Sequence, residues 1–229
     1  MCTSIISNRK KTIVGWNLDL GCMDCRVRED VHGVYIEVDT PKDGWLPLFG
    51  ANDRGDFAGM PTCYPYDKRS DPGEGDENAL MLNIELLLRK KSFKEILEIV
   101  GKKRIASIPG TTFMPALSDI NGNVLHIVPG QGYTYYEKPL FRVLTNFSPY
   151  KMDREIHPAM GMDRYLLAER MLSDAKEDFD EEDCFEILKA VSQEEFPTLV
   201  SMVYNVTDRL VCWCENRQWE DIKRVRFGH

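Results

Sequence analysis

The sequence predicts an α+β fold in which strands and helices segregate into layers. Strands come in runs and helices in consecutive pairs, in the order strands, two helices, strands, two helices, strands. That order belongs to layered α+β folds rather than to a doubly wound parallel sheet. Two hairpin signatures support it: a polar Asn8-Arg9-Lys10-Lys11 turn and an Asn121-Gly122 pair, each between apolar runs, which set neighbouring strands antiparallel. No repeat, low-complexity stretch or linker divides the 229 residues. One domain over residues 1–229 is therefore expected, long enough to bury a substantial core.

The elements follow in order. Strands over 3–7 and 12–18 flank the first turn. Val34, Ile36 and Val38 alternate in a strand over 33–39, and strands at 46–51 and 57–60 flank the turn Asn52-Asp53-Arg54-Gly55-Asp56. The polar stretch 67–76 is a loop. Leu80, Ile84, Leu87 and Leu88 share one face of a helix over 78–90, and Ser92 caps a second helix over 93–100. Strands at 114–119 and 124–128 flank Asn121-Gly122, and strands at 133–136 and 142–145 should extend that sheet. Amphipathic helices over 163–175 and 181–191 precede strands at 199–205 and 210–215, and then a charged tail. His32 and His126 are placed in strands as ordinary half-buried residues.

A net charge of −8 disfavours nucleic acid or an anionic membrane surface as the main partner. The short basic clusters, such as Lys102-Lys103-Arg104, read as solvated turns or helix ends. Neither an export signal nor an apolar stretch of membrane-spanning length is evident, so a cytoplasmic location is expected. The seven cysteines are then read as reduced thiols. Cys22-x-x-Cys25 and Cys212-x-Cys214 invite a zinc or thiol-redox reading. The second pair alternates within a strand, as small buried hydrophobes do, and no helical apolar pattern follows the first pair. The four histidines are scattered. No metal and no cofactor are expected.

Chemistry is concentrated at the start of the chain. Cys2-Thr3-Ser4-Ile5-Ile6 is strand-like right up to the terminus, where chains are usually frayed. Removal of Met1 would make Cys2 the first residue. Its α-amine, with an ordinary pKa of about 7.7–8.0, would then lie beside the thiol as its own general base. The hairpin returns through Gly15-Trp16-Asn17-Leu18-Asp19, so Asp19 is expected beside Cys2, its carboxylate holding the amine. Asn146, at the end of a hydrophobic strand, is either a turn former or an oxyanion donor.

With MCTSIIS and GWNLD, the turn Gly50-Ala51-Asn52-Asp53-Arg54-Gly55 leading to Ala58-Gly59, residues 116–123, VLTNFSP and the helix start Met162-Asp163-Arg164-Tyr165, the chain resembles the choloylglycine hydrolase and penicillin V acylase family. These are N-terminal-nucleophile hydrolases of linear amide bonds. The resemblance runs from Cys2 to about Phe227 and implies a four-layer αββα sandwich of mainly antiparallel sheets. It also implies Cys2 as nucleophile, Asp19 as the aspartate that holds the amine, Asn146 as support for the oxyanion, and Asn17 as a residue that orients the same cluster.

Departures from the family pattern bear on substrate. Trp16 stands where the family has an arginine, a second family arginine falls on Pro197, and Pro61 takes the place of an oxyanion-hole residue. Losing guanidinium donors turns the expectation away from conjugated bile acids and penicillin V. Trp16, Met60 and Tyr64 are candidates for an apolar acyl pocket, so the substrate side comprises Trp16, Asn17, Met60 and Tyr64. The leading expectation is an amidohydrolase that cleaves a small N-acyl amide through a Cys2 thioester. Acyl transfer and a non-catalytic ligand- or partner-binding module of the same fold stand as alternatives, with self-association left open.

Overall fold

The computed structural model describes residues 1–21, 23–151 and 160–228. Cys22, half of the first cysteine pair, lies outside the described residues. Strand β1 (Cys2–Asn8) and strand β2 (Thr12–Asp19) form the first hairpin. They occupy the interior of a six-stranded antiparallel sheet, with Phe141–Leu144 beyond β1 and Thr198–Asn205, Leu210–Glu215 and Lys223–Arg226 beyond β2. The second sheet has seven antiparallel strands: Gly132–Tyr136, Val124–Val128, Ala116–Ser118, Phe57–Gly59, Gly44–Asn52, Gly33–Thr40 and Cys25–Asp30.

Three cores define the layers. Alternate residues of a strand point to opposite faces, so Val14, Trp16 and Leu18 meet Val34, Ile36 and Phe57 between the sheets. Ile5, Ile13 and Val203 face the other way, against helices α3 (Met162–Asp174) and α4 (Glu181–Ala190). Tyr35, Leu117 and Leu125 pack under α1 (Ala79–Leu87) and α2 (Phe93–Lys102). The result is the layered α+β sandwich: helices, sheet, sheet, helices. Asn78 caps α1 and Ser92 forms a capping box with Glu95 on α2, each satisfying amides that a helix start leaves unpaired. No helix among the described residues is long and apolar enough to cross a membrane.

Several sequence expectations need correction. Phe141–Leu144 does not extend the sheet of Gly132–Tyr136; it crosses to the first sheet and pairs with β1. The crossing is fixed by Asn8, whose backbone amide donates to the Leu140 carbonyl at 2.8 Å and whose side chain donates to the Pro139 carbonyl at 2.8 Å. Cys25–Asp30 and Lys223–Arg226 are strands that the pattern did not reveal. Both are sheet edges rich in charge, the composition that blocks further pairing. Cys212 and Cys214 are buried in the core under α3 and α4. His32 lies in the turn after Cys25–Asp30 and is exposed, whereas His126 is fully buried in its strand.

Burial, with the Arg142 guanidinium adding to it, pushes His126 down to about 4. The unfolded chain binds this proton near pH 6.5 and the folded chain refuses it. Stability from the neutral ring is therefore complete above about pH 6.5 and is lost as pH falls toward about 4, with about 2–3 kcal/mol at stake. Urea unfolding at about pH 7 and about pH 4.5 should show wild type losing more stability than His126→Gln; an equal loss in both would contradict this.

Candidate active site

The first strand reaches the end of the chain because it is clamped on both sides. All seven residues of β1 are buried. Cys2 is paired with Leu18, and its side chain faces the space between the sheets. There it opens on a cavity of about 560 Å³ lined by Leu18, Leu48, Phe49, Met60, Ile108 and Phe113, with Lys42 and Asp43 on an adjoining loop. Met1 also lines this cavity. Its α-amine donates to the Asp19 carbonyl, and the Asp19 amide returns a hydrogen bond to the Met1 carbonyl at 2.8 Å.

Asn146 is brought level with Cys2 by strand register. Ser4 pairs with Leu144, and the same register continued by two residues sets Asn146 opposite Cys2. Its Oδ1 accepts the Cys2 backbone N–H at 3.0 Å and an Nη2–H of Arg164 at 2.7 Å, while its Nδ2 donates to the Thr62 carbonyl at 2.7 Å. Two donors on one side and an acceptor on the other fix which way the amide points.

Arg164 sits in the first turn of α3, on the buried face that it shares with Ala168 and Leu172. Its Nη1 donates to the Cys2 carbonyl at 2.8 Å and to Thr3 Oγ1 at 2.7 Å, and lies 3.5 Å from Asp19 Oδ2. Gly161, the residue before the helix, makes room for it. With φ +82, Gly161 is in the left-handed region, and a Cβ there would meet Arg164 Nη2 at 2.6 Å.

The Asp19 carboxylate turns to the helix side of the sheet, opposite to the thiol. Thr198 Oγ1 donates to Oδ1 and Gln193 Nε2 to Oδ2, each at 2.6 Å. Burial pushes the Asp19 carboxyl above its usual range, against the pull of the Thr198 hydrogen bond and the Arg164 cation. Burial also pushes the Cys2 thiol up to about 11, opposed mainly by the α-ammonium of Met1. With Met1 attached, the thiol is thus protonated at neutral pH.

The structure brings Cys2, Asp19 and Asn146 together, with Met60 on the cavity wall. It sets the other candidates apart. Trp16 is fully buried between the sheets, its ring centroid 5.0 Å from that of Phe49, and Gly59 has no Cβ because one would strike the indole at 2.3 Å. Asn17 faces α4, donating to the Leu188 carbonyl at 2.7 Å and accepting from Ser201 Oγ at 2.7 Å. Tyr64 is 41% exposed and reaches the site only through its backbone N–H, which donates to the Asn146 carbonyl at 2.7 Å. Residues 16 and 17 fall on opposite faces of β2, and neither face at that point borders the cavity. Arg164 was missed as a site residue, although its position four residues before Ala168 and eight before Leu172 puts a charge on a buried stripe.

No family model matches the chain, and no curated protein matches its sequence. Its fold is similar to that of several solved structures. The C2A variant of conjugated bile acid hydrolase from Clostridium perfringens superposes with a TM-score of 0.69 at 15% identity, over 99% of this chain and 92% of that one. Penicillin V acylase from Agrobacterium tumefaciens gives 0.69 at 12% identity, over 99% and 86%. The Caenorhabditis elegans ortholog of N-acylethanolamine-hydrolyzing acid amidase gives 0.62 at 18% identity, over 90% and 93%.

Asn146→Leu removes the acceptor shared by Cys2 and Arg164 and leaves two buried donors unpaired, one of them charged. A loss of about 3 kcal/mol is expected, read from the denaturant midpoint; a loss below about 1 kcal/mol would mean that the shared acceptor is not holding this site.

Proposed function

We propose that residues 1–229 form one N-terminal-nucleophile amidohydrolase domain of the choloylglycine hydrolase and penicillin V acylase family, cleaving a small N-acyl amide through Cys2. The observation that carries this reading is the convergence on the Cys2 nitrogen of Asn146 Oδ1, itself bonded to Arg164, at the mouth of an apolar cavity. The likeness of fold to solved amide hydrolases supports it. Removal of the residue before Cys2 converts its nitrogen from an amide into an α-amine without moving the groups that face it.

The free amine takes the thiol proton, and the sulfur attacks the acyl carbonyl. The second hydrogen on Asn146 Nδ2, not used by Thr62, supports the tetrahedral oxyanion. Collapse breaks the C–N bond, and the amine passes its proton to the leaving nitrogen, leaving a thioester on Cys2. Water, deprotonated by the same amine, then attacks the thioester and releases the acid. Asp19 acts through the backbone and through Arg164, anchoring the end of β2 against the start of β1.

The cavity wall favours an apolar acyl group. Leucine, methionine and phenylalanine dominate it, and Trp16, which stands in place of the family's arginine, lies in the core rather than in the cavity. An apolar chain is favoured on entering such a space, whereas a hydroxylated or charged acyl group would find partners only toward Thr40, Lys42, Asp43 and Thr62.

Chain-length series of N-acyl amides, assayed by amine release with the protein beginning at Cys2, test the reading. kcat/KM is expected to rise about fourfold per added methylene until the cavity is filled, and Cys2→Ala should reduce release to background while unfolding normally. Full activity in Cys2→Ala, or in protein that retains Met1, would overturn it.

A further inference from the structure

We propose that a second cavity between the sheets binds one small anion of halide size, through Arg142, Ser118, His126 and Ser4. This cavity shares no lining residue with the one at Cys2, and the proposal stands independently of the function argued above.

Strand parity brings the four side chains together. Alternate residues of a strand share a face. Cys2 and Ile6 belong to the core between the sheets, so Ser4 points there too, and Leu144 in the same core places Arg142 on that face. Register sets Arg142 opposite Ile6, and Leu144 opposite Ser4. In the second sheet Ala116 pairs with His126 and Ser118 with Val124. Ala116 and Val124 lie in the core between the sheets, which turns Ser118 and His126 toward the first sheet. All four line one cavity of about 10 Å³, whose other walls are apolar.

The cavity gathers donors without a matching acceptor. Ser118 is 4% exposed, and its Oγ has no hydrogen-bond partner. Arg142 Nε is likewise buried and unpartnered. The rest of that guanidinium donates to the Phe141 carbonyl at 3.2 Å and stacks over Tyr136, 4.1 Å from the ring centroid. Neither partner carries a charge to balance it, and among the described residues no carboxylate is paired with Arg142. His126 is buried edge-on against Tyr136. Its ring stays neutral at about pH 7 and keeps one N–H to donate. Buried polar groups left in this condition are costly.

Charge and size select the ligand. A water molecule would satisfy the hydroxyls and leave the cation unbalanced. A small anion accepts from all of these donors and balances the charge, and charge-assisted hydrogen bonds are the stronger kind. The cavity has room for about one water-sized sphere, which excludes a carboxylate, a phosphate or a sulfate. Arg142 is half-buried, so its flexible end gives an ion a way in. An ion held there ties β1 and Phe141–Leu144 to Ala116–Ser118 and Val124–Val128, joining the two sheets.

Urea unfolding of the whole chain at about pH 7 tests the site, with sodium chloride replacing sodium gluconate at constant ionic strength. An ion that binds only the folded state raises the folding equilibrium constant about tenfold for each tenfold rise in free chloride above its Kd. Wild type should show that dependence, and Arg142→Gln should show none. Ser118→Ala removes one hydrogen bond to a charged group and should need about tenfold more chloride for the same response. Sulfate should act alike on wild type and Arg142→Gln. Should Arg142→Gln fail to fold, the chloride-35 NMR line decides: native wild type should broaden it, bromide should sharpen it again, and Ser118→Ala should broaden it less. A wild-type midpoint that chloride does not move overturns the proposal and leaves the cavity to water. So does a chloride response of equal size in wild type and variants, or sulfate acting as chloride does.

Discussion

A cation buried against the first residues of the chain is the constraint around which this structure is organised. Arg164 is 5% exposed, and a guanidinium taken out of water is tolerated only when its donors are met. They are met by the carbonyl of Cys2, the hydroxyl of Thr3, the amide of Asn146 and the carboxylate of Asp19. Those partners come from β1, from the segment after Phe141–Leu144 and from β2, so satisfying one side chain aligns three adjacent strands with the start of α3. A terminus that would fray in most proteins is thereby held as an interior strand, and whatever nitrogen begins at Cys2 is held with it.

The surroundings divide the work by face. On the helix side of the sheet, Asp19, Thr198, Gln193 and Arg164 form a polar network whose groups satisfy one another. On the other side, the thiol meets a cavity walled mainly by apolar side chains, Phe49 and Phe113 among them. On the proposed function, Cys2 has its acid–base environment set from behind and its substrate selected from in front. Trp16 belongs to the apolar side as well, its indole packing on Phe49 and Phe57.

Much of the fold was legible because local signals and tertiary needs agreed. The cap at Ser92, the turn after Asn8 and the strand Val124–Val128 all follow from short-range chemistry. The strands that escaped notice, Cys25–Asp30 and Lys223–Arg226, are charged edges whose pattern reflects protection rather than burial. The wrong sheet for Phe141–Leu144 arose because pairing was assumed between neighbours in sequence, whereas Asn8 draws the chain across. At the site, Cys2 and Asn146 could be singled out from residue type and position. The face on which Trp16 and Asn17 point depends on the parity of β2 relative to the two cores, and that parity is set by the whole sandwich. Arg164 carried a signal, a charge in line with Ala168 and Leu172, but Cys2, Thr3 and Asp19 among its partners lie more than a hundred residues away in sequence.

The central claim is that Cys2 carries the acyl group during turnover, and an acid-quenched reaction with a long-chain N-acyl amide tests it most directly. Intact mass followed by peptide mapping should show the mass of the acyl group on the N-terminal peptide, bound as a thioester that hydroxylamine removes, in protein that begins at Cys2 and not in protein that retains Met1. Amide cleavage with no adduct at Cys2, or with the acyl group on another cysteine, would contradict the account.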